Sequence, residues 1–228
     1  MEKTVSKGEF VEIVFTGKAN GEIFDSNIEE DLKAMAPDAK PEKIIIAVGE
    51  QMLVPGLDKA IVNCEIGEEK NIKVAPSEGF GARRKELVRT VPAGAFGERA
   101  REIRAGMTLS VDGNFVRIIS VSGARVMVDF NNPLAGKELE YKFKVVRKVE
   151  DVKEKAETLF KHLFRFVPEF SVGDKIVIKG PKQMEIVAKA GNETFKKVIG
   201  KELGFEEVKL EKKDAPKSEK KEDAKIAS

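Results

Sequence analysis

Apolar and polar residues alternate from the start of the chain. Val11, Ile13 and Phe15 interleave with Glu12, Val14 and Thr16, the two-residue period of a strand with one face well buried. Asn20-Gly21 follows, a pair suited to the positive φ that both central residues of a type I′ turn require. A short return strand is therefore predicted over residues 22–25. Residues 28–36 predict a helix stopped before Pro37, and residues 44–48 (Ile-Ile-Ile-Ala-Val) a strand. Residues 55–63 predict a short helix opened by Pro55, where a missing N–H costs nothing. Extended structure resumes at residues 72–74.

From Arg83 to Asn131 the texture changes to short β-like runs at residues 87–91, 107–111, 115–121 and 126–130, with turns at Asp112-Gly113 and Ser122-Gly123. A compact β-rich subdomain is expected, set inside the first domain. Tyr141, Phe143, Val145 and Arg147 then predict a long strand that closes the parent sheet. Beyond it the period changes. Val152, Ala156, Leu159, Phe160, Leu163 and Phe164 fall at helical spacing. Residues 175–179 and 184–187 read as a hairpin pair around Gly180-Pro181. Asn192 reads as the cap of a helix through Ile199 that ends at Gly204, and residues 207–210 as a last strand. The order α-β-β-α-β is predicted for residues 151–211. From residue 212 onward charges mix without an apolar period, and a disordered tail is expected.

Composition narrows the function classes. Lys+Arg and Asp+Glu nearly cancel to +2, so no basic field points to nucleic acid. A single cysteine, Cys64, excludes an intrachain disulfide and suits the cytoplasm. A single histidine, His162, leaves no His/Cys set for a metal and deprives hydrolase-type catalysis of its usual base. The start of the chain lacks the apolar core of a signal peptide, and no apolar run is long enough for a membrane span. No cofactor is implied. Binding, rather than acid–base chemistry, is where the chain's chemistry is expected.

Three ordered segments carry a family resemblance: Val14-Phe15-Thr16-Gly17 with Gly21-Glu22-Ile23-Phe24-Asp25-Ser26; Val48-Gly49-Glu50-Gln51-Met52-Leu53-Val54-Pro55-Gly56-Leu57; and Ala75-Pro76-Ser77-Glu78-Gly79-Phe80-Gly81. In order and spacing they resemble the FKBP-type peptidyl-prolyl cis/trans isomerases. The segment between Gly81 and Leu134-Ala135-Gly136 is similar to the flap insert of the long SlyD-like and archaeal members. The resemblance implies an α+β fold, an antiparallel half-barrel wrapped on a short helix, with a β-rich insert in its flap and a small α/β C-terminal domain. It divides the chain into an isomerase domain (1–83 and 132–150), a chaperone-like insert (84–131), the C-terminal domain (151–211) and the tail (212–228).

The resemblance also implies a pocket. Phe15, Asp25 and Tyr141 take the catalytic positions, and Phe24, Ile44, Leu53, Val54, Leu57, Phe80 and Leu134 line it. Phe80 stands where many members have a tyrosine that bonds the ligand, and Leu57 where animal members have a tryptophan. By strand period alone, Phe15, Ile44, Leu53 and Tyr141 read as ordinary core, and Asp25 as a solvated hairpin residue. The expected partners are unfolded or partly folded polypeptides with X–Pro bonds. The Leu159/Phe160/Leu163/Phe164 stripe is read either as domain core or as a homodimer contact. The alternative function is a non-catalytic polypeptide-binding holdase or adaptor on the same fold, favoured by the departure at Phe80.

Overall fold

The structure, a computed structural model, describes residues 4–36, 38–111 and 114–208. Pro37, the Asp112-Gly113 turn, residues 209–210 of the expected last strand and the expected tail lie outside the described residues. The chain divides into two compact units between Thr158 and Leu159.

In the first unit, β1 (Phe10–Ala19) and β2 (Glu22–Ser26) form a hairpin turned by Asn20 and Gly21, with φ of 53° and 83°. Both values are those a type I′ turn demands. The helix α1 (Glu29–Met35) buries none of its residues. It is held instead by Asp31, which accepts the Ser26 hydroxyl at 2.8 Å and the Thr16 hydroxyl. β3 (Ile44–Ala47) pairs with the first half of β1, α2 spans Pro55–Ile61, and β4 spans Glu69–Val74.

The insert follows with β5 (Val88–Pro92), β6 (Thr108–Val111), β7 (Asn114–Ser122) and β8 (Arg125–Asp129), an antiparallel sheet in the order β5-β8-β7-β6. Ile103, Val116, Ile118, Val126 and Val128 form its own buried core. β9 (Leu139–Lys148) then returns to the parent sheet between β1 and β4, giving the order β2-β1-β9-β4 with every pairing antiparallel. On the parent sheet's core face, Leu57 and Ile61 of α2 are buried with Val11, Ile13, Phe15, Leu139, Tyr141, Phe143 and Val145. Burying each of these large side chains stabilises the fold by roughly 1.5–3 kcal/mol. Cys64 joins the same core, its thiol donating to the Ala60 carbonyl.

The helix α3 (Val152–Phe164) begins on the first unit. Glu154 accepts both Lys43, at 2.6 Å, and Arg147, at 2.9 and 3.0 Å, while Arg147 also donates to Glu12 at 2.8 Å.

The second unit holds the rest of α3, β10 (Glu169–Val172), β11 (Ile176–Gly180), α4 (Glu185–Val198) and β12 (Leu203–Glu207). β10 runs antiparallel and β12 parallel to β11. Phe160 is fully buried, with ring centroids 4.7 Å from Phe195 and 5.2 Å from Phe170. Leu159 is core as well, but Leu163 is exposed, so the expected four-residue stripe is not uniformly buried.

Three sequence expectations fail here, one of them the last strand, expected at residues 207–210 but formed by Leu203–Glu207 where it pairs with β11. Residues 184–187 are not a strand but the entry to α4, and the strand missed in their place is β10. Ile186 and Val187 suggested extended structure, yet Ile186 is 73% exposed, and the buried face of α4 is the helical set Ala188, Gly191 and Phe195. Asn192 therefore lies inside a helix rather than at its start. Its Oδ1 accepts the Leu203 N–H at 2.9 Å, and Gly204, expected to end the helix, sits in β12.

Candidate functional site

Four aromatic rings meet at one end of the parent sheet's core face. Phe15 on β1 and Tyr141 on β9 have centroids 6.1 Å apart and rings tilted by 57°. Phe24 on β2 meets Tyr141 edge-to-face at 5.8 Å and 84°. Phe80, on the loop after β4, meets Phe24 in the same way at 6.1 Å and 83°. The quadrupole of each ring favours such edge-on contacts. Phe15 and Tyr141 are buried, Phe24 is half-buried and Phe80 is 36% exposed, so the cluster opens toward solvent at Phe80.

The remaining expected lining residues belong to the parent sheet's wider core or pack against it. Leu57 is buried, and Ile44, Leu53, Val54 and Leu134 pack against the same core while keeping part of their surface free. Val54 directly precedes α2, and its carbonyl accepts the Leu57 and Asp58 N–H groups. Asp25 lies opposite Gly17 on the β1–β2 hairpin, with much of its surface exposed. The structure thus brings Phe15, Phe24, Phe80 and Tyr141 together, with Asp25 beside Phe24 on β2, and sets Ile44, Leu53, Val54, Leu57 and Leu134 in or against the core that Phe15 and Tyr141 share.

Electrostatics follow from this placement. Loss of water around Asp25 pushes its carboxyl above the ordinary value, and the Ser26 backbone N–H pulls it part of the way back. Burial, and then the negative charge of Asp25, push the Tyr141 phenol up to about 12. Its hydroxyl is therefore a neutral donor at physiological pH. No described side chain pairs with that hydroxyl. No fully buried side-chain polar atom among the described residues lacks a partner, so the hydroxyl reaches open space.

Gly17 is a site residue that sequence reasoning passed over. A Cβ there would stand 2.8 Å from Phe24 Cζ and 2.9 Å from Tyr141 Cε1. The two rings occupy the room a side chain would take. The signal was a glycine inside a strand, which marks a close approach of some other group. Also missed was Met52, whose sulfur accepts the Ala47 N–H at 3.2 Å and ties the loop before Leu53 to β3. Among the described residues no cluster of His, Cys, Asp and Glu could hold a metal. No described helix is long and apolar enough to cross a membrane.

The arrangement offers a mostly apolar aromatic surface, open to solvent at Phe80, with one neutral hydroxyl, one neighbouring carboxylate and no nucleophile. Such a surface can bind a compact apolar ring and withdraw its neighbours from water.

Comparison with known proteins agrees with this chemistry. A family model described as FKBP-type peptidyl-prolyl cis-trans isomerase matches residues 1–100. A second, described as the FKBP26 IF domain, matches residues 89–134. A short-type peptidyl-prolyl cis-trans isomerase of Methanocaldococcus jannaschii is 33% identical over 148 residues, spanning 64% of this chain and 94% of that protein. The SlyD isomerase of Helicobacter pylori is 28% identical over 149 residues, spanning 63% of this chain and 74% of that protein. The SlyD isomerase of Haemophilus influenzae is 36% identical over 102 residues, spanning 43% of this chain and 53% of that protein.

Proposed function

This chain belongs to the FKBP-type peptidyl-prolyl cis-trans isomerase family, and from that premise we propose that it accelerates proline-limited folding of chains held by its insert. Rotation about an amide faces a barrier of about 18–20 kcal/mol because the planar form has resonance. X–Pro bonds are nearly balanced between isomers but exchange slowly. The catalyst needs no nucleophile, only a site that favours the twisted amide over the planar one. The single observation that carries this assignment is the Phe15/Phe24/Phe80/Tyr141 cluster, open toward solvent at Phe80.

In this reading the proline ring enters the aromatic recess. The apolar walls remove water from the polar planar carbonyl, which raises the ground state relative to the less polar twisted form. The Val54 N–H, which has no acceptor among the described residues, holds a substrate carbonyl. The Tyr141 hydroxyl supplies a donor on a site where Phe80 has none. Asp25 stands at the rim, where its charge complements the altered carbonyl of the twisted amide.

The insert's share is supported by its surface. A groove of about 330 Å³ is lined by Val91, Ala95, Phe96, Leu109, Val111 and Phe130. Phe115 is 64% exposed, and Ile119 and Val121 of β7 and Met127 of β8 are exposed as well. Apolar surface of this kind suits unfolded chain in the cytoplasm. Exposed Leu163, Phe166, Val167 and Val172 support self-association through the second unit, which light scattering after size exclusion tests.

The assay that tests the whole reading measures isomerisation of a proline-containing tetrapeptide and of a protein whose refolding is limited by one X–Pro bond. Acceleration of both is expected. Binding of unfolded chain without acceleration of either leaves only a holdase and rejects the proposal.

A further inference from the structure

Two segments join the insert to the parent sheet, residues 81–87 and 129–136, and they are tied at three levels. Nearest the sheet, the Gly136 N–H donates to the Gly81 carbonyl at 2.8 Å. Nearest the insert, the Phe130 N–H donates to the Leu87 carbonyl at 2.9 Å. The middle tie is made by a side chain. Asn131 Oδ1 accepts the Arg84 N–H at 2.8 Å, and its Nδ2 donates to the Arg84 carbonyl at 3.0 Å. One planar amide thus serves both backbone polar groups of a residue 47 positions away, as a neighbouring strand would.

The amide is itself held in orientation. Nδ2 spends its second hydrogen on Asp129 Oδ1 at 2.6 Å, and the Asn131 N–H reaches the same oxygen at 3.0 Å. The other Asp129 oxygen takes the Arg83 guanidinium. Asp129 and Asn131 are both buried, and neither leaves a buried side-chain polar atom unpaired. Burial opposes the charge of Asp129, but the Asn131 donors and then Arg83 outweigh it and hold the carboxyl below its usual value.

Open space flanks the same joint. Beside it lies a crevice of about 500 Å³, with Thr108, Phe115 and Arg117 on the insert side and Pro133, Gly136 and Lys137 on the other. Arg83, Asp129 and Asn131 of the hydrogen-bonded neck border that space directly.

We propose that Asn131 is a positioning residue: by clasping Arg84 under the control of Asp129, it fixes the insert's angle so that a chain held there meets the prolyl recess. This rests on the reading that the insert holds unfolded chain. A rigid tether concentrates the second site at the first, and a loose one spreads the bound chain over a larger volume. The clasp therefore acts on turnover of protein substrates and not on the recess itself.

The test uses the full chain with Asn131→Ala. Spin labels on cysteines introduced at exposed Ser122 and Lys18, with Cys64→Ala, report the distance between insert and sheet by pulsed electron resonance. The distance distribution is expected to broaden. Turnover of a proline-limited refolding protein is expected to fall roughly tenfold at unchanged KM. Tetrapeptide kcat/KM, and the Kd for a reduced, carboxymethylated protein unable to refold, are expected to stay within twofold. Should Asn131→Ala fail to fold, Arg83→Gln alters a half-exposed side chain and should give the same pattern more weakly. An unchanged distance distribution, or a broadened one with undiminished refolding turnover, overturns the proposal, as does a parallel loss in the tetrapeptide assay. If the unaltered protein binds the carboxymethylated chain no more tightly than the tetrapeptide, the holding role of the insert fails instead, and the clasp loses its purpose with it.

Discussion

The Phe24 ring lies edge-on to Tyr141 at 5.8 Å, in the space left by the absent side chain of Gly17. That relationship makes the backbone of β1 part of the recess wall. It also sets Phe24 between Tyr141 on one side and Phe80 on the other, so three elements of the sequence share one surface.

Gly17→Ala is the direct check. The added methyl, below 3 Å from both rings, forces them to shift, and overpacking of this kind costs about 1–3 kcal/mol. Tetrapeptide kcat/KM is expected to fall about tenfold or more, with a matching loss in a urea melt. A destabilised protein with full activity would show that the ring geometry is packing only.

Tyr141→Phe removes one hydroxyl and keeps the ring. If that hydroxyl donates to substrate, turnover should drop by roughly three- to thirtyfold, the worth of one hydrogen bond, while the fold is kept. Tyr141→Ala should abolish most activity with native circular dichroism. The hydroxyl also leaves a mark on stability. Its folded pKa, about 12, is above the unfolded value near 10, so its contribution is present below pH 10 and is lost as pH rises toward 12. The wild type should lose stability across that window more steeply than Tyr141→Phe.

Loss of water raises the Asp25 carboxyl above its ordinary value. Folding therefore favours its neutral form, and that contribution is present below the unfolded value and lost as pH rises through the folded one. Asp25→Asn should flatten this part of the stability profile. If the charge assists the twisted amide, turnover in the wild type should fall as acid neutralises Asp25, and Asp25→Asn should be slow at every pH. Its loss in kcat should exceed any loss in peptide binding. Equal losses would reduce Asp25 to a shape element.

Replacing residues 84–130 by a short flap separates the two activities proposed for the chain. The recess draws on the parent sheet, α2 and the Phe80 loop, so tetrapeptide isomerisation should survive. Catalysed refolding should fall on the order of a hundredfold, because the tether that raises substrate concentration at the recess is gone. A common factor in both assays would make the insert a scaffold for the recess.

Local chemistry settled much of this protein before any long-range contact was known. Strand period placed β1, β3, β4 and β9, Asn20-Gly21 set the first hairpin, and Pro55 opened α2, because these depend on residues within a few positions of each other. The four rings that meet were singled out by the ordered resemblance, not by period, which reads Phe15 and Tyr141 as plain core. The second unit shows where local pattern runs out: Ile186 and Val187 look like strand, and Phe170 was passed over, until Phe160 and Phe195 decide which faces are buried. Tertiary structure alone could reveal that Gly17 makes room for Phe24 and that Asn131 reaches Arg84. Both are meetings of segments distant along the chain, and alternation along one strand carries no information about which far residue will stand opposite.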